Sequence, residues 1–181
     1  MTGRIAPETP PFAPEIEAAL KKIMPPGVPP LVLFTTLARN PRIFSRVMAG
    51  GMLDKGSISL REREIVIDRT TARCGSEYEW GVHVAFFAEA AGLSAAQVAA
   101  TVNGAGDDPA WTPHERLIVR LVDALHDRSS VDDALWAALR EAFSEEQLIE
   151  LVALTGFYHL ISFLTNALAL PLEEGAARFP K

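Results

Sequence analysis

A serine or threonine followed three residues later by an acid or an amide recurs along this chain, and each occurrence marks a place where a helix can begin. In such a box the hydroxyl accepts from a first-turn N–H while the third side chain reaches back to the cap's own N–H. The pattern appears as Ser59–Glu62, Ser76–Glu79, Ser94–Gln97, Thr112–Glu115, Ser130–Asp133 and Ser144–Gln147. Pro113 follows Thr112, at the first helical position, where its missing N–H costs nothing. No run alternates apolar and polar residues with period two, so no sheet is expected.

These starts predict an all-α chain, a helical bundle with helices over about 14–24, 31–38, 41–48, 60–73, 77–91, 95–102, 113–127, 131–143 and 145–170. Pro25-Pro26-Gly27 stops the first of them, so residues 1–27 read as an arm plus one helix and 28–181 as the main domain. The loop over 101–111, TVNGAGDDPAW, divides that domain into halves of about 28–103 and 112–181. The halves echo each other: SLREREIVIDRTTARCGSEYEW aligns without gaps on TPHERLIVRLVDALHDRSSVDD, setting Ser59 on Thr112. Ser94-Ala-Ala-Gln also echoes Ser144-Glu-Glu-Gln, and we read a weak internal repeat whose second copy is structural.

Composition closes off several classes. The formal net charge is −6 and no Lys/Arg cluster occurs, so a nucleic-acid partner is not expected, because phosphate binding needs a concentrated basic patch. Cys74 is the single cysteine, which forbids an intramolecular disulfide and fits a reducing, cytoplasmic setting. The proline-rich start MTGRIAPETPPFAPE lacks the apolar stretch of a signal peptide and reads as an extended arm lying on the body or on a neighbour. Residues 151–172 carry no Asp, Glu, Lys or Arg, a run long enough to span a bilayer. Thr155, His159, Ser162 and Asn166 interrupt it and no basic cluster flanks it. A buried helix in a bundle or oligomer is therefore expected, and no membrane.

The residues that can carry chemistry sit early in the first half. Glu64 lies on the stripe Leu60, Glu64, Ile67, Thr71, Cys74, where a buried carboxylate needs a partner. An exposed Glu64 paired with Arg61 or Arg69 fits the same charged run. Glu79 and His83 stand four apart and share a face with Phe86, Phe87 and Ala90. A carboxylate beside an imidazole fixes its tautomer and makes a general acid or base; equally, Glu79 can complete the Ser76 cap, and His83 can be a core histidine bonded to a carbonyl. Glu64, Glu79 and His83 could together supply three metal ligands, but neither the helical ExxH pairs of di-iron bundles nor the HExxH of zinc proteases is present, so no metal is expected. Cys74 lies near a helix C-terminus, where the dipole opposes a thiolate, and reads as structural. Thr155, His159, Ser162 and Asn166, with Tyr158 beside them, recur at helical spacing and fit a pocket lining or an interhelical network.

The segment REREIVIDRTTARCGSEYEWGVHVAFFAEAAGL resembles the core of the carboxymuconolactone decarboxylase and alkylhydroperoxidase (AhpD-like) superfamily, and GFYHLISFLTNALALPLEE resembles the last helix of its longer members. In the alkylhydroperoxidase branch a Glu precedes Cys-x-x-Cys, with a His four residues beyond the second cysteine. Matched on His83, the cysteine positions hold Ser76 and Glu79, a relay histidine becomes Tyr78, and the relay Glu falls on Glu64. The resemblance thus implies an AhpD-like bundle without dithiol peroxidase activity, since that turnover needs a thiolate and a resolving thiol. It implies a cofactor-independent, decarboxylase-like enzyme acting on a small carboxylated ring or lactone. His83 would be the general acid/base and Glu79 and Glu64 its orienting carboxylates. Tyr78, Ser76, Tyr158, His159 and Asn166 would bind substrate. It also implies a homo-oligomer, a dimer or trimer or a multiple, with the last helix near the interface. Two alternatives stay open: a peroxidase-related protein working through Cys74 alone, and a non-catalytic ligand-binding scaffold.

Overall fold

The computed structural model describes residues 3–180, and these contain nine α-helices and no strand. They are α1 (Pro14–Ile23), α2 (Val32–Leu37), α3 (Pro41–Ala49), α4 (Leu60–Arg73), α5 (Glu77–Phe87), α6 (Ala95–Asn103), α7 (Pro113–Arg128), α8 (Asp133–Ala142) and α9 (Glu145–Ala167). Reciprocal capping boxes open α4, α6, α7 and α9 at Ser59, Ser94, Thr112 and Ser144. Two expected boxes are absent. Asp132, not Ser130, caps α8 by accepting from Leu135 N–H. Ser76 precedes α5 without capping it, because its hydroxyl is spent on Thr165 at 2.7 Å.

Helix α4 is the axis of the molecule. Ile65, Val66 and Ile67 are fully buried together with Glu64, Asp68, Thr70 and Thr71, so this helix is enclosed on every side. Around it pack α5, α6, α7 and α9. Ile118, Val119, Leu121 and Val122 of α7 and Leu151 and Leu154 of α9 complete the core. Burying such side chains is worth about 1.5–3 kcal/mol each.

The two halves are tied by a ladder of ion pairs. Arg61 meets Glu115, Arg69 meets Asp123 and Arg73 meets Asp127, each pair 54 residues apart. A constant offset between contacting residues means that α4 and α7 run in the same direction. The repeat itself has an offset of 53, from Ser59 to Thr112. Exchanging the halves therefore converts Arg61–Glu115 into His114–Glu62, and that contact is also present at 2.8 Å. The weak repeat in the sequence is a two-fold relation in the fold.

The ends of the chain lie on this body. In the arm, Arg4 N–H donates to Leu168 O and Glu8 N–H to Thr35 O, and Ile16 and Leu20 of α1 join the common core. In the tail, Glu173 accepts from Val32 N–H and from the Tyr78 hydroxyl, and Ala177 N–H donates to Gly81 O. Phe179 sets its ring edge-on against Trp80 at 5.1 Å. A Cβ on Gly81 would collide with the Ala177 carbonyl, so glycine there lets the tail dock.

Helix α9 is long and apolar enough to cross a membrane. In this fold one face of it packs on α4, α5, α7 and α8. The other face leaves Ile149, Val152, Leu160 and Phe163 exposed.

Candidate active site

The buried stripe of α4 and the first turns of α5 bring Glu64, Glu79 and His83 together. Glu64 is fully buried, with no trace of the exposed pairing that its charged neighbourhood allows. Its Oε2 lies 2.8 Å from His83 Nδ1, and its Oε1 accepts from Arg63 Nε at 2.8 Å. The far side of the imidazole, Nε2, lies 3.1 Å from the Tyr158 hydroxyl and 3.6 Å from Glu79 Oε1. Phe87 lies against the ring at 5.2 Å, and the Arg63 guanidinium sits over Phe87.

Charge follows from this geometry. Burial by itself would drive the imidazole neutral, but hydrogen bonds and attraction from Glu64 and then Glu79 prevail and push its pKa up to about 10. At neutral pH His83 is thus an imidazolium, with Nδ1–H donating to Glu64 and Nε2–H donating toward Tyr158. Burial, reinforced by the carboxylates of Glu79 and Glu64, holds the Tyr158 phenol well above its ordinary range, so it stays protonated.

Asp68, one turn beyond Glu64 on the same face, is fully buried and neither of its oxygens finds a partner. Burial drives its pKa well up against the opposing pull of His83, which favours its neutral form. Sequence reasoning passed over Asp68 and Arg63; the four-residue spacing of Glu64 and Asp68 was the available signal.

His83 and the two neighbours of its Nε2, Glu79 and Tyr158, line a cavity of about 430 Å³. Its walls come from α1, α2, α3, α5 and α9, and Phe34, Met48, Leu53, Phe86, Phe157 and Ile161 make them apolar. Among the lining residues only Glu79, His83 and Tyr158 bring polar side chains. An apolar chamber with a few convergent polar groups suits a small, largely apolar ligand.

Four residues expected around a substrate are not brought to this cavity. Ser76 is buried against Thr165. The Tyr78 hydroxyl is engaged by Leu33 N–H and Glu173. Asn166 is exposed and donates to Cys74 O. His159 faces the opposite side of α9, where it meets His126. Tyr78 and His159 directly adjoin Glu79 and Tyr158, so their side chains point about 100° away around the helix, while Ser76 and Asn166 are held by Thr165 and the Cys74 carbonyl.

A buried acid–histidine–tyrosine chain thus stands at the wall of an apolar chamber, carried on an all-helical bundle with a two-fold relation between its halves. The sequence profile of the carboxymuconolactone decarboxylase family matches residues 40–124. Over that segment, just under half of its length, the chain is similar to the carboxymuconolactone decarboxylase family, and the solved structures that match it share its AhpD-like helical fold. Its fold is similar to an AhpD-core, peroxidase-related protein of Ralstonia eutropha JMP134, with TM-score 0.85 and 21% identity over 96% of this chain and 94% of that one. A peroxidase-related protein of Silicibacter sp. TM1040 follows at TM-score 0.81 and 17% identity, covering 95% and 92%. A cysteine-to-alanine form of the debrominase Bmp8, in complex with 2,3,4-tribromopyrrole, matches with TM-score 0.75 and 16% identity over 93% and 91%. No curated protein matches the chain significantly in sequence.

Proposed function

We propose that the protein is a cofactor-independent acid–base enzyme, decarboxylase-like, that protonates a small carboxylated ring or lactone held in the chamber beside His83. The observation that carries this reading is the Glu64–His83–Tyr158 chain, whose imidazolium donor opens on a 430 Å³ apolar cavity. A ring carboxylate loses CO2 and leaves its electron pair on carbon or on a conjugated oxygen. The Nε2 proton of His83 is then delivered to the ring carbon, and solvent restores it. Glu64 holds the ring and its charge, and the Tyr158 hydroxyl positions the substrate near Nε2. The apolar walls raise the energy of the carboxylate relative to departing CO2.

Two features favour this over thiol chemistry. Ser76 and Glu79 stand where a dithiol would be needed, and burial pushes the Cys74 thiol above its ordinary pKa. The helical relative bound to a tribromopyrrole lends support to a small ring as the kind of ligand such a fold takes.

The test is CO2 release from a panel of small cyclic acids and lactones, a carboxymuconolactone included. The wild type should turn over at least one of them. His83→Gln should lower kcat by at least 100-fold with helical content unchanged, and Tyr158→Phe by about tenfold, in the range of a lost general acid and a lost positioning group. Undiminished turnover in His83→Gln would overturn the reading.

The same reading takes a second copy of the chain as partner. The exposed stripe of α9 is symmetric about Gly156: Val152 and Leu160 lie four residues to either side, and Ile149 and Phe163 seven. No side chain lies over Gly156. Two α9 helices packed antiparallel across a two-fold axis there would set Ile149 on Phe163 and Val152 on Leu160, an arrangement that needs one surface only.

A further inference from the structure

On the side of α9 away from the chamber, three side chains from three helices converge without any part in the acid–base site. Cys74 ends α4, His126 lies in the last turn of α7, and His159 lies midway along α9. His126 Nδ1 is 3.8 Å from Cys74 Sγ and 3.0 Å from His159 Nε2, and the three potential donor atoms all fall within 4.8 Å of one another.

We propose that Cys74, His126 and His159 form a zinc site. A tetrahedral zinc, with Zn–S near 2.3 Å and Zn–N near 2.0 Å, sets its sulfur and nitrogen ligands about 3.6 Å apart and its two nitrogens about 3.3 Å apart. The two separations that involve His126 lie within a few tenths of an ångström of these values, and Cys74 Sγ and His159 Nε2, within 4.8 Å of each other, would draw together around an ion. One thiolate and two imidazoles suit zinc among divalent ions, and three protein ligands leave a fourth position for water.

The surroundings are those of a metal site. His159 Nδ1–H donates to Thr155 O at 2.8 Å, which fixes the tautomer and turns a lone pair on Nε2 toward the cluster, the usual outer support of a metal-bound histidine. Without metal, His126 must then donate its Nδ1 proton to His159. Ser162, one turn beyond His159 on α9, is fully buried. Its hydroxyl finds no hydrogen-bond partner. All three ligands are only partly buried, so an ion can reach them.

Proton balance is simple. Zinc takes the sulfur as thiolate, releasing the Cys74 proton to solvent, and the His126 proton moves from Nδ1 to Nε2 as Nδ1 becomes a ligand. One proton leaves for each ion bound.

The full chain, stripped of metal by chelation and dialysis, is titrated with cobalt(II) and then with zinc. One cobalt per chain is expected, with a near-ultraviolet thiolate-to-cobalt charge-transfer band that one equivalent of zinc abolishes. Cys74→Ser should lose that band, and His126→Gln and His159→Gln should each weaken binding at least tenfold. His83→Gln should bind as the wild type does. Circular dichroism of each variant separates lost binding from lost fold, and a variant that unfolds is replaced by cadmium-113 NMR of the wild type, where a sulfur-shifted resonance is required. Absence of one-to-one binding, a spectrum unchanged by Cys74→Ser, or loss of the band in His83→Gln would overturn the assignment.

Discussion

Glu64 Oε2 and His83 Nδ1 meet at 2.8 Å although nineteen residues separate them, and both side chains are almost wholly removed from water. Two charged groups so placed are costly to desolvate, and His83 owes its raised pKa first to Glu64. The relation makes this contact the electrostatic centre of α4–α5 packing and sets a protonated imidazole at the chamber wall.

Stability should therefore carry the mark of this pair. A histidine held at about 10 against an ordinary 6.5 stabilises the fold fully below about 6.5, and that contribution fades as pH rises through about 10. Asp68, also raised, acts in the same sense. Glu64→Gln should cost about 3 kcal/mol at neutral pH, and its deficit against the wild type should shrink as pH approaches and passes 10. Thermal unfolding of both proteins across that range checks this; a deficit independent of pH would contradict it.

Gly81→Ala should unseat the tail. The added methyl meets the Ala177 carbonyl, and either that backbone or α5 must move, at a cost of about 1–3 kcal/mol. Limited proteolysis should then cleave within 171–180 at least tenfold faster than in the wild type. Equal cleavage rates would mean that the tail does not depend on this close approach.

The stripe on α9 predicts association. Light scattering should find a dimer or a higher even assembly for the wild type, and Leu160→Glu or Phe163→Glu should give monomers with unchanged helical content. An unchanged mass in both variants would place the contact elsewhere, and a protein recovered only with lipid or detergent would assign the stripe to a membrane.

Much of the architecture was legible because its signals are local. The boxes at Ser59, Ser94, Thr112 and Ser144 each act within one turn, and all four cap as expected. Ser76 failed as a cap for a non-local reason: Thr165, 89 residues away, takes its hydroxyl. The same divide runs through the site. Glu79 and His83 share a face by spacing alone, and Glu64 stood out on an otherwise apolar stripe. Tyr78, by contrast, is turned from the chamber by Glu173 in a tail whose docking depends on Gly81. Cys74 and His126 come together only because α4 and α7 run side by side, and no short-range pattern encodes that.

The rungs between α4 and α7 also restrict how this chain can change. Each joins residues 54 apart, so one residue inserted inside either helix would turn every later rung by about 100° and break them together. Lengthening the loop between the halves would leave the rungs aligned. The two helices act as matched rulers: relatives of this protein can differ freely in what lies between them, but within α4 and α7 additions and deletions must come in pairs.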